Sequence, residues 1–62
     1  MPVIKVDCGN MDIEMKEKLI KSLTQAASSI TGIPEAAYVV LLNEMSKDNI
    51  GVGGEMLSKK QH

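Results

Sequence analysis

Between Asp12 and Pro34 the apolar residues stop alternating and start to recur every three or four positions. This change of period restricts the fold more than any other feature of the chain. Leu19, Ile20, Leu23, Ala26, Ala27 and Ile30 share one stripe, while Lys16, Lys18, Lys21 and Gln25 fall mostly elsewhere; that is the pattern of an amphipathic helix. Asp12 is a good N-cap, and Glu14 is placed favourably against the positive end of the helix dipole. Gly32 suits a left-handed C-cap, and Pro34 cannot continue the helix. The spacing predicts a helix of about eighteen residues starting at Ile13.

Strands are predicted on both sides. Residues 2–8 alternate, with Ile4, Val6 and Cys8 on one face and Val3, Lys5 and Asp7 on the other. Gly9 and Asn10 form the turn into the helix. Residues 37–43, AYVVLLN, are a near-continuous apolar run, which suggests a strand covered on both faces, as in a parallel sheet. Strand, helix and strand make a βαβ unit with a right-handed crossover. The tail EMSKDNIGVGGEMLSKKQH is rich in turn residues around Ile50 and Val52, so a small hairpin is expected there, with frayed polar residues after it. The fold class is α/β: a βαβ protomer with a short C-terminal hairpin, one domain spanning 1–62.

Such a unit lacks internal staples. A chain of this size buries only about 60% of the surface its unfolded form exposes. Cys8 is the lone cysteine, His62 the lone histidine and Tyr38 the lone aromatic residue, so neither a disulfide nor a Cys/His metal set is expected. One sheet face and both sheet edges lack cover. Self-association is therefore expected to complete the fold. Net charge −1 with interspersed signs argues against nucleic acid as a partner. No apolar run approaches the ~20 residues of a membrane span. Lys5 and Asp7 interrupt any leader pattern, and a single free thiol fits a reducing cytoplasm. No cofactor is expected.

Most candidate chemistry has a plainer explanation. IGVGGE, residues 50–55, carries glycines, but a phosphate loop needs a long helix after them, and too few residues follow. The helix lysines are expected to be a solvated face, Cys8 a small hydrophobe, and Met11, Met15, Met45 and Met56 adaptable packing. Pro2 is different. Proline is allowed at the first residue of a strand, where no ladder donor is needed. Once Met1 is removed, however, it offers a secondary amine that no internal residue has.

The sequence as a whole resembles the 4-oxalocrotonate tautomerase family from Pro2 to about Lys59. The resemblance is carried by Pro2, by Lys16-Glu17-Lys18-Leu19-Ile20, and by Glu44-Met45-Ser46-Lys47 followed by Gly51-Val52-Gly53-Gly54-Glu55. It implies a βαβ protomer with a C-terminal hairpin, assembled as a homohexamer (a trimer of dimers). It also implies that Pro2, freed of Met1, is the general base for enol–keto proton transfer on a 2-hydroxydienoate or 2-keto acid.

The match departs from the family in its arginines. Known members place one just before the helix and one in the second strand, to bind and polarise the substrate acid. This chain has none. The loop position falls near Asn10 or Met11, the strand position at Val39, and a bulky aromatic of the C-terminal loop is replaced by Ile50. A lysine is a point charge and not an arginine fork, so Lys47 or Lys5 replaces those contacts only in part. The expected site is thus Pro2 as the base, with Val39, Ile50, Met11 and Lys47 around the substrate and a neighbouring subunit completing the pocket. Alternatives are a non-catalytic oligomeric scaffold or binding module on the same fold, and proline-assisted hydration or dehalogenation of an unsaturated acid.

Overall fold

A computed structural model describes residues 1–60; His62 lies outside them, as does part of the tail expected to fray. Alternation makes the first element a strand, β1 (Val3–Cys8), in which Ile4, Val6 and Cys8 are half-buried and Val3, Lys5 and Asp7 exposed. Pro2 lies just before β1 and meets β2 through its carbonyl alone.

The helix α1 (Ile13–Thr31) begins and ends where its caps predict. The Asp12 side chain accepts the Met15 N–H at 2.8 Å. Gly32 adopts φ 78°, and its N–H donates to the Ser28 carbonyl at 2.8 Å, a left-handed ending that glycine takes without a Cβ penalty. The second strand, β2 (Val39–Glu44), starts two residues later than the apolar run, because Glu35–Ala37 form one turn of 3₁₀ helix behind Pro34. It pairs with β1 in parallel, from Val3 opposite Val39 to Cys8 opposite Glu44. The tail folds as the expected hairpin: β3 (Gly51–Val52) pairs antiparallel with β4 (Glu55–Met56). Gly53 and Gly54 turn between them at φ 62° and 85°, the positive-φ pair that a two-residue hairpin loop requires.

The helix lies on the face that Ile4, Val6 and Cys8 share with Val40, Leu42 and Glu44. Leu19, Leu23 and Ala27 are its half-buried apolar residues. Three members of the predicted stripe do not join them. Ile30 is 86% exposed, Ile20 is 40% exposed, and Ala26 is exposed as well. Six-residue strands are shorter than a 19-residue helix needs for cover along its whole length. Lys16, expected in the solvated face, is instead half-buried. Of the methionines, Met11 and Met45 are half-buried, whereas Met15 and Met56 remain exposed.

The expectation of two covered strand faces fails within one chain. Val3 and Leu41 on the outer sheet face are 45% and 48% exposed, and no described residue is fully buried. The radius of gyration is 15.1 Å, against about 10.5 Å for a compact chain of this length. The accessible surface is 4908 Å², against about 3,900 Å² for a folded monomer of this mass. Among the described residues no helix is long and apolar enough to cross a membrane.

Candidate active site

Proline has no N–H, so Pro2 can contribute to a ladder only through its carbonyl. That carbonyl accepts the Val39 N–H at 3.0 Å. The bond fixes Pro2, half-buried, at the head of β1 and beside the start of β2. Tyr38, the preceding residue of the second strand segment, ties this end to the helix: its hydroxyl shares a hydrogen bond with Thr31 Oγ1 and donates to the Ala27 carbonyl at 3.2 Å. The result is a braced position for residue 2, with Val3, Val39 and Tyr38 nearby and no charged side chain in that register.

The other end of the sheet is built around Glu44, the last residue of β2. Its Oε1 accepts from Lys16 Nζ at 2.7 Å, and its Oε2 accepts the Met11 N–H at 2.9 Å. The lysine hydrogen bond, followed by the backbone N–H, holds the Glu44 carboxyl below its ordinary pKa. One carboxylate thereby joins β2, α1 and the loop between β1 and α1. The Met45 N–H donates to the Cys8 carbonyl at 2.8 Å, extending the ladder past the strands. Asn43 Nδ2 donates to Asp7 Oδ1 at 3.0 Å on the outer face.

Of the residues expected around the substrate, Val39 alone stands next to Pro2. Met11 follows β1, and Lys47 and Ile50 follow β2, so all three lie at or beyond the Glu44 end. Five residue steps along β1 separate the two ends, roughly 17 Å at ~3.3 Å per residue. A single protomer therefore does not bring the five together. Ile50 is half-buried, and its carbonyl accepts the Leu57 N–H at 2.8 Å as the tail folds back; Lys47 is exposed. Met11 lines a groove of about 350 Å³ with Met15, Lys18, Leu19 and Ser22. A second concavity, of about 260 Å³ among Glu14, Glu17, Lys18 and Lys21, lies on the outer side of α1. Neither contains Pro2. Among the described residues no three His, Cys, Asp or Glu side chains converge on a metal position.

Sequence reasoning missed the part played by Glu44 and Lys16. Their bond joins positions 28 residues apart and the bond to Met11 joins positions 33 apart, so no local pattern reports either. The lysine position supplied the one available hint, since Lys16 falls between Asp12 and Leu19 on the inner side of the helix.

Comparison with known proteins agrees with this architecture. The family model described as a tautomerase enzyme matches residues 2–60. A 2-hydroxymuconate tautomerase of Bacillus subtilis (strain 168) is 38% identical over 60 residues, covering 94% of this chain and 95% of that protein. One from Pseudomonas putida is 36% identical over 61 residues, 95% of each. A crystal structure of a 4-oxalocrotonate tautomerase homologue superposes with a TM-score of 0.89 at 33% identity, covering 100% of both chains.

Proposed function

The chain belongs to the tautomerase family, an isomerase of the 4-oxalocrotonate tautomerase type, and from that premise we propose that Pro2, freed of Met1, is its general base. The substrate in this reading is a 2-hydroxydienoate or the enol of a 2-keto acid. The secondary amine takes the proton from the enol oxygen and returns it to carbon, or performs the reverse. Tautomerisation needs this round trip, so the base must be poised near the working pH. An α-amino group has a reference pKa of about 7.7–8.0, against about 10.4 for lysine, and is neutral far more often at pH 7. Cover in an apolar pocket disfavours its cation further. Such a base typically contributes about 10²–10⁴ in rate.

The observation that carries this reading is the braced, half-buried position of Pro2, held by the Val39 N–H on its carbonyl. That bond anchors the peptide group that follows the ring and so limits where the ring nitrogen can lie, and proton transfer depends on such positioning. Val39 forms the near wall. Met11, Lys47 and Ile50 reach the same pocket from other copies of the chain, since their own protomer holds them at the far end. Lys47 supplies the cation for the substrate carboxylate that arginine would otherwise supply.

Assembly is part of the same proposal. The single domain, 1–62 less Met1, associates as a homohexamer, a trimer of dimers, in a reducing cytoplasm. The uncovered Val3 and Leu41 on the outer face of the sheet and the accessible surface in excess of a folded monomer's support it.

The test combines intact mass, which establishes whether Met1 has been removed, with ultraviolet ketonisation assays on 2-hydroxymuconate and phenylenolpyruvate. Turnover by the processed protein that falls about 100-fold or more in Pro2→Ala supports the reading. Processed protein that turns over neither acid, and whose amine resists alkylation by reactive acids, overturns it in favour of a scaffold.

A further inference from the structure

Gly9, Asn10 and Met11 lie between the end of the β1 ladder and the Asp12 cap of α1. Among the described residues, the Met11 N–H on Glu44 is the one hydrogen bond that these three make to another element. The opposite oxygen of the same carboxylate is engaged by Lys16. Both bonds have an ionised acceptor, which makes them shorter and stronger than neutral ones. The lysine contributes beyond its charge: at 31% side-chain exposure its stem lies along the covered side of the helix, and its ammonium restrains the carboxylate from swinging away from Met11.

We propose that Glu44 is a positioning residue for substrate binding: by holding the Met11 N–H and the Lys16 ammonium together, it fixes the β1–α1 loop as one wall of the pocket. The inference rests on the reading of Met11 as a pocket residue given above. It goes further in naming a side chain that never touches the substrate yet sets the place of one that does. Each strand and the helix keep their own backbone hydrogen bonds without Glu44, whereas the loop has no replacement for it. Its loss therefore disturbs the wall rather than the base, which stands at the opposite end of β1. A looser wall weakens substrate binding and leaves proton transfer largely as it was, the signature of a changed KM with a preserved kcat.

The experiment uses the processed full-length oligomer, with phenylenolpyruvate as the probe, and measures kcat, KM and the exchange rate of the Met11 amide hydrogen. Glu44→Ala is expected to raise KM about tenfold or more, with kcat within about threefold of wild type, and to speed Met11 exchange. Glu44→Gln keeps an oxygen for the Met11 N–H but loses the charge facing Lys16, so it falls between wild type and alanine. Lys16→Met follows the glutamine variant, and these two carry the test should the alanine variant not fold. Unchanged KM across the variants of an active enzyme overturns the role of Glu44, as does a fall in kcat alone or a Met11 amide that exchanges no faster. A processed wild type with no turnover overturns the tautomerase reading itself, and with it the pocket role assigned here to the loop.

Discussion

The Val39 N–H donates to the Pro2 carbonyl at 3.0 Å, and this one bond separates the structural part of residue 2 from its chemistry. Any residue at position 2 retains the carbonyl. Pro2→Ala is therefore expected to keep the fold and the assembly while losing the rigid secondary amine, with kcat falling about 100-fold, at the lower end of what a positioned base contributes. Ketonisation kinetics with circular dichroism on the same sample checks both halves. Material that retains Met1 holds the Pro2 nitrogen in an amide and is expected to be inactive; intact mass distinguishes the two populations. Wild-type kcat in Pro2→Ala would remove the proline from the mechanism.

Glu44 also sets a pH dependence. Its pKa in the folded chain is lowered, first by the Lys16 hydrogen bond and then by the Met11 N–H. For a carboxyl shifted in this direction, the stabilisation is fully present above the unfolded pKa and is lost as pH falls through the folded value. Wild type is therefore expected to exceed Glu44→Gln in melting temperature at pH 6–7. That gap should close as the pH falls below the ordinary carboxylate range near 4.5. Thermal melts at fixed protomer concentration from pH 7 to pH 3 read it directly, and a gap that widens on acidification contradicts the assignment.

Local chemistry made much of this molecule legible in its sequence. Asp12 and Gly32 bound the helix because caps are short-range devices, and Gly53-Gly54 closes the hairpin because only positive φ fits that turn. Residues 37 and 38 mislead because apolar character does not record that Pro34 first winds Glu35–Ala37 into a 3₁₀ turn. Ile30 fits the helical period, yet periodicity carries no information about where the sheet stops. Within the site, Pro2 could be read from its position alone. The placement of Met11, Lys47 and Ile50 at the opposite end could not, since it follows from strand direction and length, and neither could the bonds of Glu44 to residues far away in sequence.

Tyr38 provides a second test of how the Pro2 end is held. Its hydroxyl joins Thr31 Oγ1 and the Ala27 carbonyl on the last turns of α1. Tyr38→Phe keeps the ring and removes both bonds. A stability loss of about 1–2 kcal/mol is expected for the two bonds together, since each is usually worth about 1 kcal/mol net. Because the chain is expected to associate, chemical denaturation of both proteins must be run at one protomer concentration. An unchanged midpoint and slope would show that these bonds are matched by water in the unfolded chain and hold nothing.

The outer face of the sheet is where the proposed assembly can be broken without damaging the protomer. Leu41 is 48% exposed and stands directly opposite Lys5 on that face. A lysine there would place like charges across the strands and weaken the sheet itself. Leu41→Glu instead gives Lys5 an opposite charge, a cross-strand pair worth about 0.2–1 kcal/mol. The sheet is thus spared, while a carboxylate replaces an apolar contact in any subunit interface formed over this face. Sedimentation velocity is expected to show Leu41→Glu as smaller species than wild type at equal concentration, with its melting temperature reduced as subunits separate. Gln25→Glu, on the exposed side of α1, adds the same single negative charge and should sediment as wild type does, which separates loss of the interface from a simple change in net charge. If Leu41→Glu sediments with wild type, the uncovered face belongs outside the interface and the assembly must close through the strand edges and the helix instead.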